Sequence, residues 1–367
     1  MGWTLLSCGL LTGHLHAADK GQQPSETVVE IRQGGYVEKV DPNVDYKSRL
    51  PSTPPKEPAE SLRAFHVIPG FQLECVAAEP LVRDAVDLAF DENGLLYVAE
   101  IIPYAEGNAS KYGSPHGRVS VLEDTDGDGR FDTSHVFVDH LVWPTGVACY
   151  DGGLYVAATP DILYCKDTNG DGKADLRKVV LTGFDTSSPN AMPNSLRWGL
   201  DNRMHGMTST AGGKIEAAWW NRDHPTRQLP VVQARGRDFR IDPRTGYMEL
   251  ESGGAQFGMT FDCWGNKFES TNNAPIEMIM VEDRYLARNP FLAAPSPRKR
   301  IWVDGETVYP TSPAEPWRVV RTEMRISGVF SGPVEGGGTA SGYFTAACGL
   351  MIYQGNAWPE AYHNSAL

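Results

Sequence analysis

Three absences narrow the field before any motif is read. The six cysteines, at 8, 75, 149, 165, 263 and 348, include no CxxC and no CxxCH, so this chain carries no haem site and no zinc site of that kind. Cleavage after Ala18 would leave five, an odd and scattered set that reads as buried thiols and not as a disulfide framework. Basic charge is also short. Lys and Arg number 33 against 46 Asp and Glu, a net charge of −13, which argues against nucleic acid and anionic membrane surfaces as partners. Finally, no run past the first residues approaches the roughly 18 apolar positions that a membrane-spanning helix needs.

Glycine (38) and proline (26) are plentiful in the 367 residues, which favours many short strands joined by turns over a helical bundle. Residues 1–18 read as a signal peptide, with an apolar stretch from Trp3 to Leu11 and small residues at Ala17 and Ala18. Export to the periplasm or cell envelope is therefore expected. The usual basic n-region is missing, which points to a true start further upstream. Leu5-Leu6-Ser7-Cys8 resembles a lipoprotein cleavage box, but it lies too close to the start. Residues 19–60 are polar and contain Pro51, Pro54, Pro55 and Pro58, the composition of a linker or arm.

From residue 61 a unit recurs: Phe90-Asp-Glu-Asn-Gly-Leu-Leu-Tyr-Val-Ala-Glu100, then Cys149-Tyr-Asp-Gly-Gly-Leu-Tyr-Val-Ala-Ala-Thr159. Degraded copies begin at Gly199 and Phe261. Each is strand, tight Asp/Asn/Gly turn, strand. A spacing of about 50 residues with about four strands per unit is the signature of a β-propeller; a β-sandwich with similar hairpins is the alternative. Residues 272–345 break the repeat and read as an insertion, with a short helix expected at 282–288. The unit resumes at Gly342–Tyr353, and the chain stops at Asn364-Ser-Ala-Leu367, where another strand should begin. The expectation is an all-β fragment spanning 61–367.

Two acidic loops stand out. Asp124-Thr-Asp-Gly-Asp-Gly-Arg-Phe-Asp132 places carboxylates at positions 1, 3, 5 and 9, and Asp167-Thr-Asn-Gly-Asp-Gly-Lys-Ala-Asp175 repeats it with an amide at position 3. Calcium takes six to eight hard oxygens, and alternate side chains of a tight loop can converge on one ion. The expected ligands are Asp124, Asp126, Asp128, the carbonyl of Arg130 and Asp132, and likewise Asp167, Asn169, Asp171, the carbonyl of Lys173 and Asp175. The bidentate Glu of an EF-hand is missing; His135 and Lys178 hold position 12. The flanks alternate like strands, so hairpin loops are expected, with water or a neighbouring segment completing the shell. Without a cation the like charges would repel.

The stretches at 71–80, 90–100, 121–130, 143–147, 195–203, 257–262, 282–292 and 316–321 resemble the membrane-bound dehydrogenases of planctomycetes and verrucomicrobia. Their propeller is similar to that of soluble quinoprotein sugar dehydrogenases. The resemblance covers about residue 60 to the end and implies a propeller, six-bladed in full and incomplete here. It also implies a dehydrogenase of sugars or alcohols with pyrroloquinoline quinone. Members often continue into a cytochrome c domain, so an electron-accepting cytochrome, on the same polypeptide or a separate one, is the implied partner. An acidic quinone wants arginines beside it and a histidine as base. The candidates are His205 and Arg197 for catalysis, and Arg203, Arg318 and Arg321 for the cofactor, against the plainer reading of polar strand residues and a solvated strand face. His116 and His224 have no supporting pattern. Two other readings stand beside this one. One is a non-catalytic propeller binding a glycan or partner protein, with Trp219-Trp220 as a candidate platform; the other is a lactone hydrolase, which needs a metal in the central channel.

Overall fold

The computed structural model describes residues 29–33, 36–40, 44–52, 54–102, 115–187, 189–289, 291, 293–302 and 307–367. The expected signal peptide lies outside them. Two compact units divide the chain, one of residues 1–61 and 307–343, the other of 62–306 and 344–367. In the first, β1 (Val29–Gln33) pairs antiparallel with β2 (Tyr36–Val40), so the expected linker contains a hairpin. A helix, Pro316–Ile326, starts after extended Glu315 with proline in its first turn, where no N–H is needed. Arg49 and Glu323 pair at 2.7 Å.

The second unit shows why the repeated hairpins form. In Phe90-Asp-Glu-Asn-Gly, the Asp91 carboxylate accepts from the N–H of Asn93 and Leu95, both at 2.9 Å. Gly94 then takes φ +86°, which a side chain would resist. Asp262 repeats the device with Trp264 (3.0 Å) and Asn266 (2.8 Å), and Gly265 sits at φ +82°. One turn chemistry thus underlies an intact and a degraded copy.

The strands assemble as four consecutive antiparallel sheets. Blade one is β3 (Ala85–Phe90), β4 (Leu96–Glu100), β5 (Gly117–Glu123) and β6 (Thr133–Leu141). Blade two is β7 (Pro144–Tyr150), β8 (Gly153–Ala158), β9 (Asp161–Lys166) and β10 (Leu176–Phe184). Blade three starts with β11 (Asn194–Trp198) and β12 (Met204–Met207). It then sends β13 (Gly213–Glu216) and β14 (Val232–Gln233) to the outer edge of blade two, and is completed by β15 (Arg237–Asp242) and β16 (Tyr247–Ser252). Blade four is β17 (Phe257–Phe261), β18 (Lys267–Thr271), β19 (Ala274–Ile279) and β20 (Arg298–Arg300). The first strands stand side by side, β3 against β7, β7 against β11, β11 against β17. The fold is an all-β propeller.

One expectation changes in detail. The stretch 272–345 is not wholly an insertion, because its first part supplies β19 and β20, paired in register with β18 and with each other. Their signal was masked by Pro, Asn and Arg between short strands. The helix expected there is present as Asp283–Leu286. A fifth hairpin also begins: Met351 and Leu367 exchange backbone bonds at 3.1 and 2.8 Å, and Ile352 pairs with Ala366. Cys149 and Cys165 sit on β7 and β9 with β8 between, and both are free, as expected.

Blade two is apolar on both faces. Tyr97, Val119 and Phe137 of blade one meet its Val147, Leu154 and Val156, while Leu196, Phe239 and Ile241 of blade three meet its Tyr155, Ile162 and Leu181. That explains why β8 is buried along its whole length. Each first strand carries a bulge near its start, between Ala85 and Asp87, Pro144 and Gly146, Asn194 and Arg197, and Phe257 and Met259. Bulges bend a strand and re-aim its side chains. Past the first of them, Asp87 accepts from the Val147 N–H at 3.0 Å and pairs with the Arg197 guanidinium at 3.1 Å. Three first strands are joined at one carboxylate. Asp87→Ala should lower stability by about 1–3 kcal/mol, since it strands a backbone donor and loosens an arginine; urea unfolding measures it.

Candidate functional site

The two acidic loops join the third and fourth strands of blades one and two, on outer hairpins as expected. Their main hydrogen bonds correspond. The Asp124 carboxylate accepts from the N–H of Gly127 (2.7 Å) and Gly129 (2.9 Å), and Asp167 does so from Gly170 (2.7 Å) and Gly172 (2.8 Å). Gly129 and Gly172, at position 6, have φ +88° and +84°. Ligand oxygens of Asp124, Asp126 and Asp128 lie within 4.8 Å of one another. In the second loop Asn169 Oδ1 accepts from Asp171 N–H at 2.9 Å. Hard oxygens converge in the first loop, and the second offers the same kinds of donor, which suits calcium in donor type.

Position 9 does something further. Asp132 accepts from the Thr125 N–H and hydroxyl, both at 2.8 Å, and Asp175 from those of Thr168 at 2.7 and 2.6 Å. These bonds hold both carboxyls below the usual range. The last aspartate therefore braces the loop's entry. Position 12 is engaged elsewhere. His135 packs over Gly172 of the second loop, and Lys178 lies 3.8 Å above the Trp219 ring. The second loop also abuts blade one, with the Ala174 N–H donating to the Phe137 carbonyl (2.8 Å) and Arg177 to that of Asp139 (2.7 Å).

Within the propeller unit, the residues named for catalysis and cofactor binding do not converge. His205 is on β12, the second strand of its blade, and only 5% exposed. Its Nδ1 meets Glu251 at 2.8 Å and its Nε2 meets Asp201 at 3.0 Å, with Phe261 against the ring. Both nitrogens are occupied, so His205 is no open base. Arg197 is held by Asp87 on the first strand. Arg203 is in the β11–β12 turn, 3.7 Å from Glu249, at the far end of the strands from the bulges. Arg318 and Arg321 belong to the other unit, paired with Glu315 and Glu335. Trp219 and Trp220 pack against the core, and their ring N–H groups are bound by Asp223 and the Arg227 carbonyl. They form no open sugar platform.

What sequence reasoning missed is a charged junction between blades three and four. Lys267 Nζ lies 2.5 Å from Asp238, 3.2 Å from Glu269 and 3.7 Å from Glu251. Arg240 extends the network to Glu249, Asp201 and Glu251 at 3.0, 3.0 and 3.6 Å. A signal existed: Asp238-Phe-Arg240, Glu249-Leu-Glu251 and Lys267-Phe-Glu269 alternate charged and apolar residues. With period two, that alternation puts the charges on one face and the apolar residues on the other. Burial, and then Asp238 beside it, push Glu269 well above the ordinary carboxyl value. For Lys267, burial acts downward but is outweighed by Asp238 and Glu269, so its value rises. Burial also opposes the charge on His205, yet bonds to Asp201 and Glu251 raise it, while Asp201 falls to about 2 despite burial.

A cleft of about 300 Å³ on blade one is lined by Pro80, Leu81, Arg118, Ser120, Ser134, His135 and Val136. Its arginine is bound to buried Glu100 at 2.7 Å.

The profile of a family described as "Domain of unknown function (DUF7133)" matches residues 57–367. The chain belongs to that family. No curated protein matches it. Among solved structures, the domain is similar to the PQQ domain of pyranose dehydrogenase from Coprinopsis cinerea, holo form (14% identity, 56% of this chain and 50% of that one, TM-score 0.36). It is also similar to the PQQ-bound aldose sugar dehydrogenase from Streptomyces coelicolor (14%, 56% and 61%, TM-score 0.34). A third is virginiamycin B lyase from Staphylococcus aureus (11%, 53% and 52%, TM-score 0.31). The DUF7133 chain thus spans about half to three fifths of the structures it matches.

Two outcomes follow from the charged junction. Lys267→Met should cost about 3–5 kcal/mol by leaving buried carboxylates uncompensated, as read from urea unfolding. Glu269 and His205 bind protons more tightly folded than unfolded. Their contribution is therefore complete below the ordinary values and lost as pH rises through the folded ones. Melting temperature should fall on the alkaline side, less steeply in Glu269→Gln. Asp201 has the opposite sign, its contribution fading as pH drops from its ordinary value towards about 2.

Proposed function

We propose that this domain is a calcium-stiffened propeller scaffold, exported to the periplasm or cell envelope, within a sugar- or alcohol-oxidising quinoprotein system. The observation that carries the calcium reading is the pair of acidic loops, in each of which the first aspartate accepts the N–H groups of positions 4 and 6 and the last accepts from the threonine at position 2. Each ion would be held by the carboxylates at positions 1 and 5, the side-chain oxygen at position 3 and the carbonyl of Arg130 or Lys173, with water completing the shell. Calcium supplies only charge and rigidity there. It relieves the repulsion among convergent carboxylates and fixes an outer hairpin.

The oxidising system rests on the sequence resemblance to the membrane-bound dehydrogenases. Pyrroloquinoline quinone would want open arginines and a histidine in one place, and the candidates are spent elsewhere: His205 between Asp201 and Glu251, Arg197 on Asp87, Arg203 beside Glu249. These three residues do not fit the quinone, and no oxidation step runs through them. Their part is structural, with redox chemistry and a cytochrome partner belonging to the larger system. A lactone hydrolase is disfavoured, because both loops are on outer hairpins.

Calorimetry should show two calcium sites per chain, and Asp124→Ala and Asp167→Ala should each remove one. Absence of calcium uptake would sink the scaffold reading. Purified domain with pyrroloquinoline quinone, calcium and glucose should reduce no dye. Sugar-dependent reduction would overturn the structural role and establish dehydrogenase activity.

A further inference from the structure

The helix Pro316–Ile326 presents Arg318, Arg321 and Arg325 three and four residues apart, so they share one face. Among the described residues, Arg321 and Arg325 share one counter-charge. Arg318 pairs with Glu315 at 3.1 Å. Arg321 Nη2 and Arg325 Nη1 both reach a single oxygen, Glu335 Oε2, at 2.9 and 3.2 Å. The Nε atoms of Arg321 and Arg325 are buried and, among the described residues, have no hydrogen-bond partner. A buried donor left unmatched is costly, the more so on a charged group.

The surroundings keep this shortage in place. The Trp317 ring lies 4.8 Å from the Arg318 guanidinium and 5.0 Å from that of Arg321, stacking the two cations on one aromatic surface. Phe330 flanks Arg325 at 5.6 Å. Opposite is Gly332, where a Cβ would come within 3.1 Å of Arg325 Nε; the chain approaches that closely because no side chain intervenes. Burial and then the neighbouring Arg325 lower the Arg321 value despite Glu335. A helix face built only for stability would match carboxylates to guanidinium groups. Here two planar forks, each able to hold an oxyanion through two N–H groups, divide one oxygen.

We infer that Arg321 and Arg325, beside Trp317, form a binding site for the carboxylate or phosphate group of a small anionic molecule. Glu335 holds the two forks together when no ligand is present and competes with one that arrives. The site is independent of the acidic loops and of the quinone.

The test is calorimetry on the full chain at low ionic strength with two probes, inorganic pyrophosphate and citrate. Saturable binding of at least one is expected, weakening at least tenfold in Arg321→Met and Arg325→Met. Glu335→Gln, which removes the competitor and keeps both arginines, should bind several-fold more tightly. Preference for pyrophosphate would identify a phosphate ligand, and preference for citrate a carboxylate. The inference is overturned if neither probe binds, if Arg321→Met leaves affinity unchanged, or if Glu335→Gln fails to tighten binding. Circular dichroism reports which variants are folded, and Glu335→Gln decides alone should the arginine variants not fold.

Discussion

The carboxylate of Asp87 is the point at which three blades are made to agree. A propeller has no single sheet running through it, so something must fix each first strand against the next. Here one side chain accepts a backbone N–H from β7 and a guanidinium from β11 while standing on β3. The bulge just before it bends the strand at that point. Everything farther out, from the apolar junctions to the acidic loops, takes its place from strands positioned near this centre.

The junctions are not alike. Blade two is sealed to its neighbours by aliphatic and aromatic side chains, whereas blades three and four also meet through Lys267, Arg240, His205 and five carboxylates. Apolar burial is non-directional, so side chains of similar volume can replace one another at some cost. Charges sealed from water tolerate less, because every group is counted on by another. His205 illustrates the difference. In the sequence it stands near Arg197 and Arg203 and invites a catalytic reading; in the fold its ring is consumed in holding two carboxylates.

Much of the architecture was legible because its causes are local. Asp91 and Asp262 write the hairpin turns into four or five residues, and the spacing of those turns gives the propeller. The acidic loops were equally readable, since two glycines and the oxygen-bearing side chains at positions 1, 3, 5 and 9 define each. Harder were β19 and β20, short strands separated by polar and proline-rich chain, whose assignment depends on pairing with β18 and not on their own pattern. The ionic junction was written as an alternation along three strands, but which strands would face each other is a matter of tertiary packing. The division of Glu335 between two arginines depends on a loop returning to its helix, which no local spacing encodes.

The excursion between β12 and β15 has one more consequence. By laying β13 along β10, blade three lends hydrogen bonds to its neighbour's sheet, so peeling these two blades apart means breaking backbone ladder as well as core. Blades one and two, by contrast, meet mainly through side chains and a few loop bonds. The middle of the chain is thereby a single cooperative block, with two adjacent repeats sharing one fate on unfolding while the first blade is free to open earlier. A repeat array in sequence has become, through one borrowed strand, a set of unequal partners.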